Sequence, residues 1–235
     1  LMAREGVLAA QPDRWLGAGG TPTTQEEYTG EITLSPSQFE RALSCPLRWF
    51  LTAIGADGPS NAAASLGTLV HAVAEEHPHG TPEELTEALE ARIDELGYNL
   101  DTWAGRVADR HARDIVNNLA SYVEGVPGRV EVEQSVCAEV DGVTIRGRMD
   151  RLEHVDEGVR VTDLKTGKSG YTAKNVPDNA QLAAYQMALI ASGEKVAGAR
   201  IALLGGSKPQ IFDQPALQGE ELERWREWVR EVSLS

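Results

Sequence analysis

The sequence predicts a mixed α/β domain, and three patterns lead there. Apolar residues recur at helical spacing from about residue 35 to 122, then alternate with polar ones over roughly 129–165. Helical spacing then returns, with a single strand between two helices. The tight-turn signals Asp141-Gly142 and Asp156-Glu157-Gly158 cut the alternating stretch into strands. At 235 residues the chain is long enough for one substantial core.

Residues 9–31 are rich in Gly, Pro and Thr without apolar periodicity, so residues 1–32 are expected to be a tether feeding a domain over 33–235. Ser35, Pro36 and Gln38 form an N-cap, a first-turn proline and a capping box for a helix to about Ser44. Pro46 restarts a second short helix over "PLRWFLTAI", and a third is expected over about Ala63–Glu76. The Thr81–Glu84 cap precedes a helix with Leu85, Leu89, Ile93 and Leu96 on one face. Trp103, Val107, His111, Ile115, Leu119 and Tyr122 mark another, with His111 read as a core or boundary histidine. Val130, Val132, Val136, Ala138 and Val140 form one strand; Val143, Ile145 and Met149 belong to the next; Val159, Val161, Asp163 and Lys165 follow in a third. A helix over about Asp178–Ser192, a strand near Ala199–Leu204, a short strand after "GGSKP" and a helix with Leu222, Trp225, Val229 and Val232 close the chain.

The net charge of −14 argues against simple wrapping by nucleic acid, but it is uneven. Residues 75–101 carry nine acids against Arg92 alone, within an acidic helical segment at about 79–125. Residues 143–176 carry seven bases against five acids, which makes them the expected contact for a polyanion. No apolar run approaches membrane-spanning length and nothing resembles a signal peptide. Two cysteines suit a reducing cytoplasm and are too few for a disulfide framework. They are also too few for a cysteine-only metal site. No membrane partner is expected, and the expected location is cytoplasmic.

Four short stretches could carry chemistry. Gly67, His71 and Glu75 are spaced by four and share a helical face; a surface His–Glu pair would explain them equally. Asp150 stands in an otherwise apolar-alternating strand, with Arg148 and Arg151 as salt-bridge candidates. Asp163 and Lys165 point the same way from the next strand, so two carboxylates would face each other across a hairpin. Such a pair repels unless a cation lies between, and a divalent ion with oxygen ligands would resolve it. Gln181 and Tyr185 share one face of the following helix.

In this order, Gly67-x3-His71-x3-Glu75, Gly147-x2-Asp150, Asp163-x-Lys165-Thr166-Gly167 and Gln181-x3-Tyr185 resemble the PD-(D/E)XK nuclease superfamily, in its RecB-type branch. "LSPSQFERALSCPLRWFL" at 34–51 resembles the first helices of these domains, and the likeness spans about residues 33–215. The nearest likeness is to the C-terminal nuclease modules of actinobacterial AdnAB-type helicase–nucleases. The Leu1 start and the tether fit a module cut from behind a motor.

The resemblance implies a restriction-endonuclease-like fold, a mixed central sheet flanked by helices with an N-terminal helical portion, that hydrolyses DNA phosphodiesters with Mg²⁺ or Mn²⁺. Asp150 and Asp163 would be metal carboxylates, Leu164 would offer its carbonyl, and His71 would be a further ligand. Lys165 would position or activate water and offset charge, Gln181 and Tyr185 would orient Lys165 or the scissile strand, and Glu75 would stand behind the ligands. Implied partners are DNA, as a single strand or duplex end, a helicase motor in the same parent chain and a second helicase–nuclease subunit, in recombination repair of double-strand ends. No iron–sulfur cluster is expected, because no cysteine follows Cys137; Cys45 is then read as a small core residue. Two alternatives remain: an inactive paralogue that guides DNA or docks a subunit, and a plain interaction domain whose acids are only salt-bridged.

Overall fold

The computed structural model describes residues 32–53, 66–126 and 128–234. Strand β1 (Ile32–Leu34) leads into α1 (Pro36–Ser44) and α2 (Pro46–Ala53). Then come α3 (Leu66–Glu76), α4 (Pro82–Glu90), a 3₁₀ turn (Ile93–Leu96) and α5 (Trp103–Glu124). The strands β2 (Val130–Val140), β3 (Val143–Val155) and β4 (Gly158–Lys165) form the central meander. A 3₁₀ turn (Val176–Asp178), α6 (Ala180–Ala191), β5 (Val196–Leu203), β6 (Gln210–Pro215) and α7 (Gly219–Leu234) complete the domain. The expected tether, Ile54, the first residues of the third helix and the Val232 side chain fall outside the described residues.

The expected caps form. Ser35 and Thr81 each accept a backbone N–H from the third helical residue, and that residue's side chain returns to the cap. The hairpin at Asp141-Gly142 has positive φ at both residues, 46° and 86°, as a type I′ turn requires.

The six strands form one mixed sheet in the order β1-β3-β4-β5-β6, with β2 on β3. β2 runs antiparallel along one edge of β3, while β1 takes residues 143–145 and β4 takes residues 151–155 on the other. That second edge therefore opens between β1 and β4, at residues 146–150. β4 and β5 are parallel and buried on both faces.

Helices α1, α6 and α7 cover one face, around Phe39, Leu182, Met187, Val161, Ile201 and Trp225. Helices α3, α4 and α5 cover the other, around Val73, Leu89, Ile115, Leu119, Leu164 and Leu204. The result is a three-layer α/β domain, consistent with the restriction-endonuclease-like expectation.

Three expectations need correction. The helix from Pro82 ends at Glu90, because Arg92 leaves helical geometry and Gly97 caps the 3₁₀ turn in the left-handed region. Ile93 and Leu96 still pack on the core from that turn. In α5, Trp103 and Val107 are exposed, and the buried seam runs instead through Ala112, Ile115, Val116, Leu119 and Val123. The first turn of α5 packs instead through Gly105 on Asn99, and Arg106 donates to the Leu100 and Asp101 carbonyls, which leaves Trp103 and Val107 on the outer side. Cys45, expected in the core, is exposed at the C-cap of α1.

Candidate active site

The chemistry-bearing residues gather where the second edge of β3 opens. The β2–β3 register continues through the hairpin so that Glu133 would stand opposite Asp150, and the β3–β4 register would set Asp163 opposite Asp150 on the other side. Neither pairing forms. Glu133 takes φ +52°, a left-handed conformation costing roughly 1–3 kcal/mol in a non-glycine residue. On the β4 side the Leu164 N–H donates to the Asp150 carboxylate at 2.7 Å instead of to a strand carbonyl.

Both strands change face at this level. Val136, Val140, Ile145 and Met149 belong to the α6 side, whereas Val130 packs towards α5 and Arg151 stacks near Tyr122. Asp150 and Glu133 sit at the crossover, so their side chains reach α3 rather than either core.

His71 meets them from α3. Its Nδ1 lies 3.3 Å from Asp150 Oδ1 and its Nε2 3.1 Å from the Leu164 carbonyl. Both ring nitrogens face oxygen acceptors, and the His71 pKa is raised, chiefly by the hydrogen bond to Asp150, with burial opposing. Donor atoms of His71, Glu133 and Asp150 all lie within 4.8 Å of one another.

One strand further, Lys165 Nζ lies 2.8 Å from Asp163 Oδ2 and donates to Gln181 Oε1 at 3.2 Å. Gln181 Nε2 donates to Asp163 Oδ1 at 2.8 Å, which closes a three-residue ring between β4 and α6. Burial pushes the Asp163 carboxyl up, with the Asp150 charge adding and Lys165 opposing. For Lys165, burial is the largest single influence and acts downward, but the charge and hydrogen bond of Asp163, with Tyr171 and Asp150 adding, together outweigh it, so the amine is held more firmly protonated than a free lysine.

The sequence expectations are distributed as follows. His71, Asp150 and the Leu164 carbonyl come together as one cluster. Asp163 stands outside that cluster, turned to Lys165 and Gln181. Among the described residues no hydrogen bond joins Tyr185 to Lys165; its hydroxyl donates to the Arg148 carbonyl at 2.7 Å and fixes β3 at the opening. Glu75 pairs with Arg148 Nη2 at 3.0 Å.

Two residues were missed. Glu133 passed as a polar position of β2, although counting back from the Asp141-Gly142 turn sets it opposite Asp150. Tyr171, half-buried beside α1, lies close enough to Lys165 and Asp163 to feel both charges.

The donor set fits a hard divalent cation. Among the described residues, Glu75, Glu133, Asp150 and Asp163 face only Arg148 and Lys165 as permanent cations, leaving two negative charges when His71 is neutral. Asp163 Oδ2 is also buried without an aligned hydrogen bond, its contact with Lys165 being electrostatic. Carboxylate oxygens, a backbone carbonyl and one imidazole are ligands of the type that Mg²⁺ and Mn²⁺ accept.

A mixed sheet opened at one edge, with acids, a histidine and a lysine gathered there, is the layout of an α/β hydrolytic nuclease. The chain belongs to the PD-(D/E)XK nuclease superfamily: residues 33–235 match its family model. Among solved structures, a Eubacterium rectale protein provisionally described as an exonuclease is similar with a TM-score of 0.51 at 15% identity. The alignment covers 92% of this chain and 88% of that one, and at such identity the likeness concerns the fold alone. The structure of SSO0001 is similar at 15% identity over 83% of this chain and 86% of that one, with a TM-score of 0.34. No curated protein matches the chain. Among the described residues, no helix is long and apolar enough to cross a membrane.

Proposed function

We propose that this domain is a Mg²⁺- or Mn²⁺-dependent deoxyribonuclease of the RecB-type branch, carried behind a helicase motor and acting on DNA ends in recombination repair. The observation that carries the reading is the meeting of the His71–Asp150–Leu164 cluster with the Lys165–Asp163–Gln181 ring at one opening of the sheet.

His71, Asp150 and the Leu164 carbonyl would hold the cation with Glu133 beside them, and Asp163 would join them by giving up a contact with Gln181 or Lys165. Such an ion, when bound, lowers the pKa of a coordinated water and offsets charge on the phosphate. Lys165 serves as a cationic donor rather than a base, because Asp163 keeps it protonated. One of its three N–H groups is given to Gln181 and its charge is held beside Asp163, which leaves donors for a phosphate oxygen gaining charge. Gln181 fixes the Lys165 rotamer, and Tyr185 holds the β3 backbone on which Asp150 stands.

Lys165→Ala is expected to lower Mg²⁺- or Mn²⁺-dependent cleavage of a labelled oligonucleotide by at least about 10²-fold. Its Mn²⁺ binding by calorimetry should persist, and circular dichroism should show a folded chain even though the melting temperature falls with the loss of the Asp163 counter-charge. Full activity in that variant would defeat the reading. The motor association is tested in the parent chain, where degradation of a duplex end should require ATP.

A further inference from the structure

We propose that Arg148 is a built-in rival of the divalent cation for Glu133, and that cation binding frees its guanidinium to take a backbone phosphate of the DNA. This rests on the nuclease reading above and adds to it a device coupling cation occupancy to substrate binding.

Three observations converge. First, Arg148 Nε lies 2.5 Å from Glu133 Oε2, and its Nη2 lies 3.0 Å from Glu75 Oε1. The guanidinium thus spans the two acids that border the His71–Asp150 cluster without belonging to the Lys165 ring. Second, Glu133 holds a left-handed backbone that keeps its carboxylate beside His71 and Asp150, within reach of the same ion. One carboxylate is therefore offered to two cations. Third, the Arg148 backbone is pinned by the Tyr185 hydroxyl, while 58% of its side chain remains exposed. The anchor is rigid, and the exposed head is held through the Glu75 and Glu133 carboxylates and, at 3.3 Å, the Glu133 carbonyl.

The chemistry supplies the exchange. A carboxylate that gives its charge to a divalent ion attracts a guanidinium less. The planar fork that grips a carboxylate grips a phosphate with the same geometry. Arg148 lies two residues before Asp150, about 7 Å along the strand. A released side chain from there reaches a phosphate adjoining the one at Lys165. Without the ion, the guanidinium stays occupied and the acids repel DNA. With it, repulsion falls and a binding group appears.

The proposal makes two affinities move in opposite directions, which a merely structural arginine would not do. Calorimetry with Mn²⁺ alone should show Arg148→Gln binding the ion several-fold more tightly than the unaltered chain. Glu133→Gln should bind it about tenfold more weakly, in the range for lost ligand-sphere partners. DNA binding is read by anisotropy of a labelled single-stranded oligonucleotide, in a Lys165→Ala background that prevents cleavage. There Arg148→Gln should lose most of the increase in DNA affinity that Mn²⁺ produces and little of the affinity measured in chelator. Arg148→Lys, which keeps charge but lacks the fork, should fall between, and melting curves would show that each variant folds. Weaker Mn²⁺ binding in Arg148→Gln, or an undiminished Mn²⁺ effect on DNA affinity, would overturn the proposal. If the unaltered chain bound no Mn²⁺ at all, the nuclease reading would fail with it; normal binding with unmoved Arg148 variants sinks the exchange alone.

Discussion

Asp150 and Arg151 are consecutive in β3, and each leads to a charged cluster of opposite character. Arg151 points to the α5 side, where it is fully buried with Glu153. Arg160 grips Glu153 Oε2 through Nε and Nη2 at 3.1 and 2.9 Å, and the Tyr122 hydroxyl donates to Glu153 and accepts from the Thr162 hydroxyl at 3.0 Å. Arg151 reaches the Pro78 carbonyl at 3.0 Å and lies over the Tyr122 ring. That cluster has two cations for one acid, a counter-charge buried at Glu153 and spare donors on Arg151. The Asp150 cluster has spare acceptors, excess negative charge and an open edge. Both are ionic, but only the second is left unsatisfied in the sense that favours a cation from outside. Unbalanced charge at an accessible edge is what separates a site from a structural network.

The largest contrast is in stability. Glu153→Ala leaves Arg151 buried beside no counter-charge, and losing one partner of a buried pair costs roughly 3–5 kcal/mol. Asp150→Asn should cost less than about 1 kcal/mol, since the amide oxygen still accepts the Leu164 N–H and one repelling charge is gone. It should nonetheless abolish cation-dependent cleavage. Urea unfolding of both variants checks this. Equal losses would show that Asp150 is structural in the way Glu153 is, and the contrast between the clusters would disappear.

A second prediction concerns the edge between them. A Cβ on Gly147 would lie 2.6 Å from Pro36 Cδ and 3.3 Å from Tyr185 Cε1. Gly147→Ala must therefore displace the start of α1 and disturb the Tyr185–Arg148 bond, a strain of about 1–3 kcal/mol. The melting temperature should fall and cleavage should fall with it, whereas Glu153→Ala should spare cleavage wherever the chain remains folded.

Much of the site was legible because its residues violate local pattern. Asp150, Asp163 and Lys165 are charges in strands, and His71 shares one face with Gly67 and Glu75 in an otherwise apolar helix. Glu133 violates nothing: a glutamate at a polar position of a surface strand looks ordinary, and its strained φ is a tertiary property. The change of face at Glu133 and Asp150 was equally hidden, because strict alternation carries a strand's faces through unbroken. The break in α4 was hidden because Ile93 and Leu96 reach the core from a 3₁₀ turn as they would from a helix, and the exposure of Trp103 was hidden too. Periodicity reports which residues could form a buried stripe, not how far the partner surface extends.

The smallest effect tests a charge that belongs to neither cluster. Asp141, in the β2–β3 turn, receives Arg226 Nε and Nη2 from α7 at 2.8 Å each, with Arg230 at 3.5 Å. The Arg226 hydrogen bonds hold its carboxyl below the ordinary carboxylate pKa. A depressed folded pKa contributes stability above the unfolded value and loses it as pH falls through the folded one. Asparagine tolerates the positive φ of this position, so Asp141→Asn isolates the charge from the turn geometry. The variant should be less stable by roughly 0.5–1 kcal/mol at pH 7, as for a partly exposed pair. The difference should shrink as pH drops below about 4, where the unfolded carboxylate takes its proton, and vanish below the folded pKa. Urea midpoints at pH 7 and pH 3 measure it; a cost that does not change with pH would mean the turn, not the ion pair, was what Asp141 supplied.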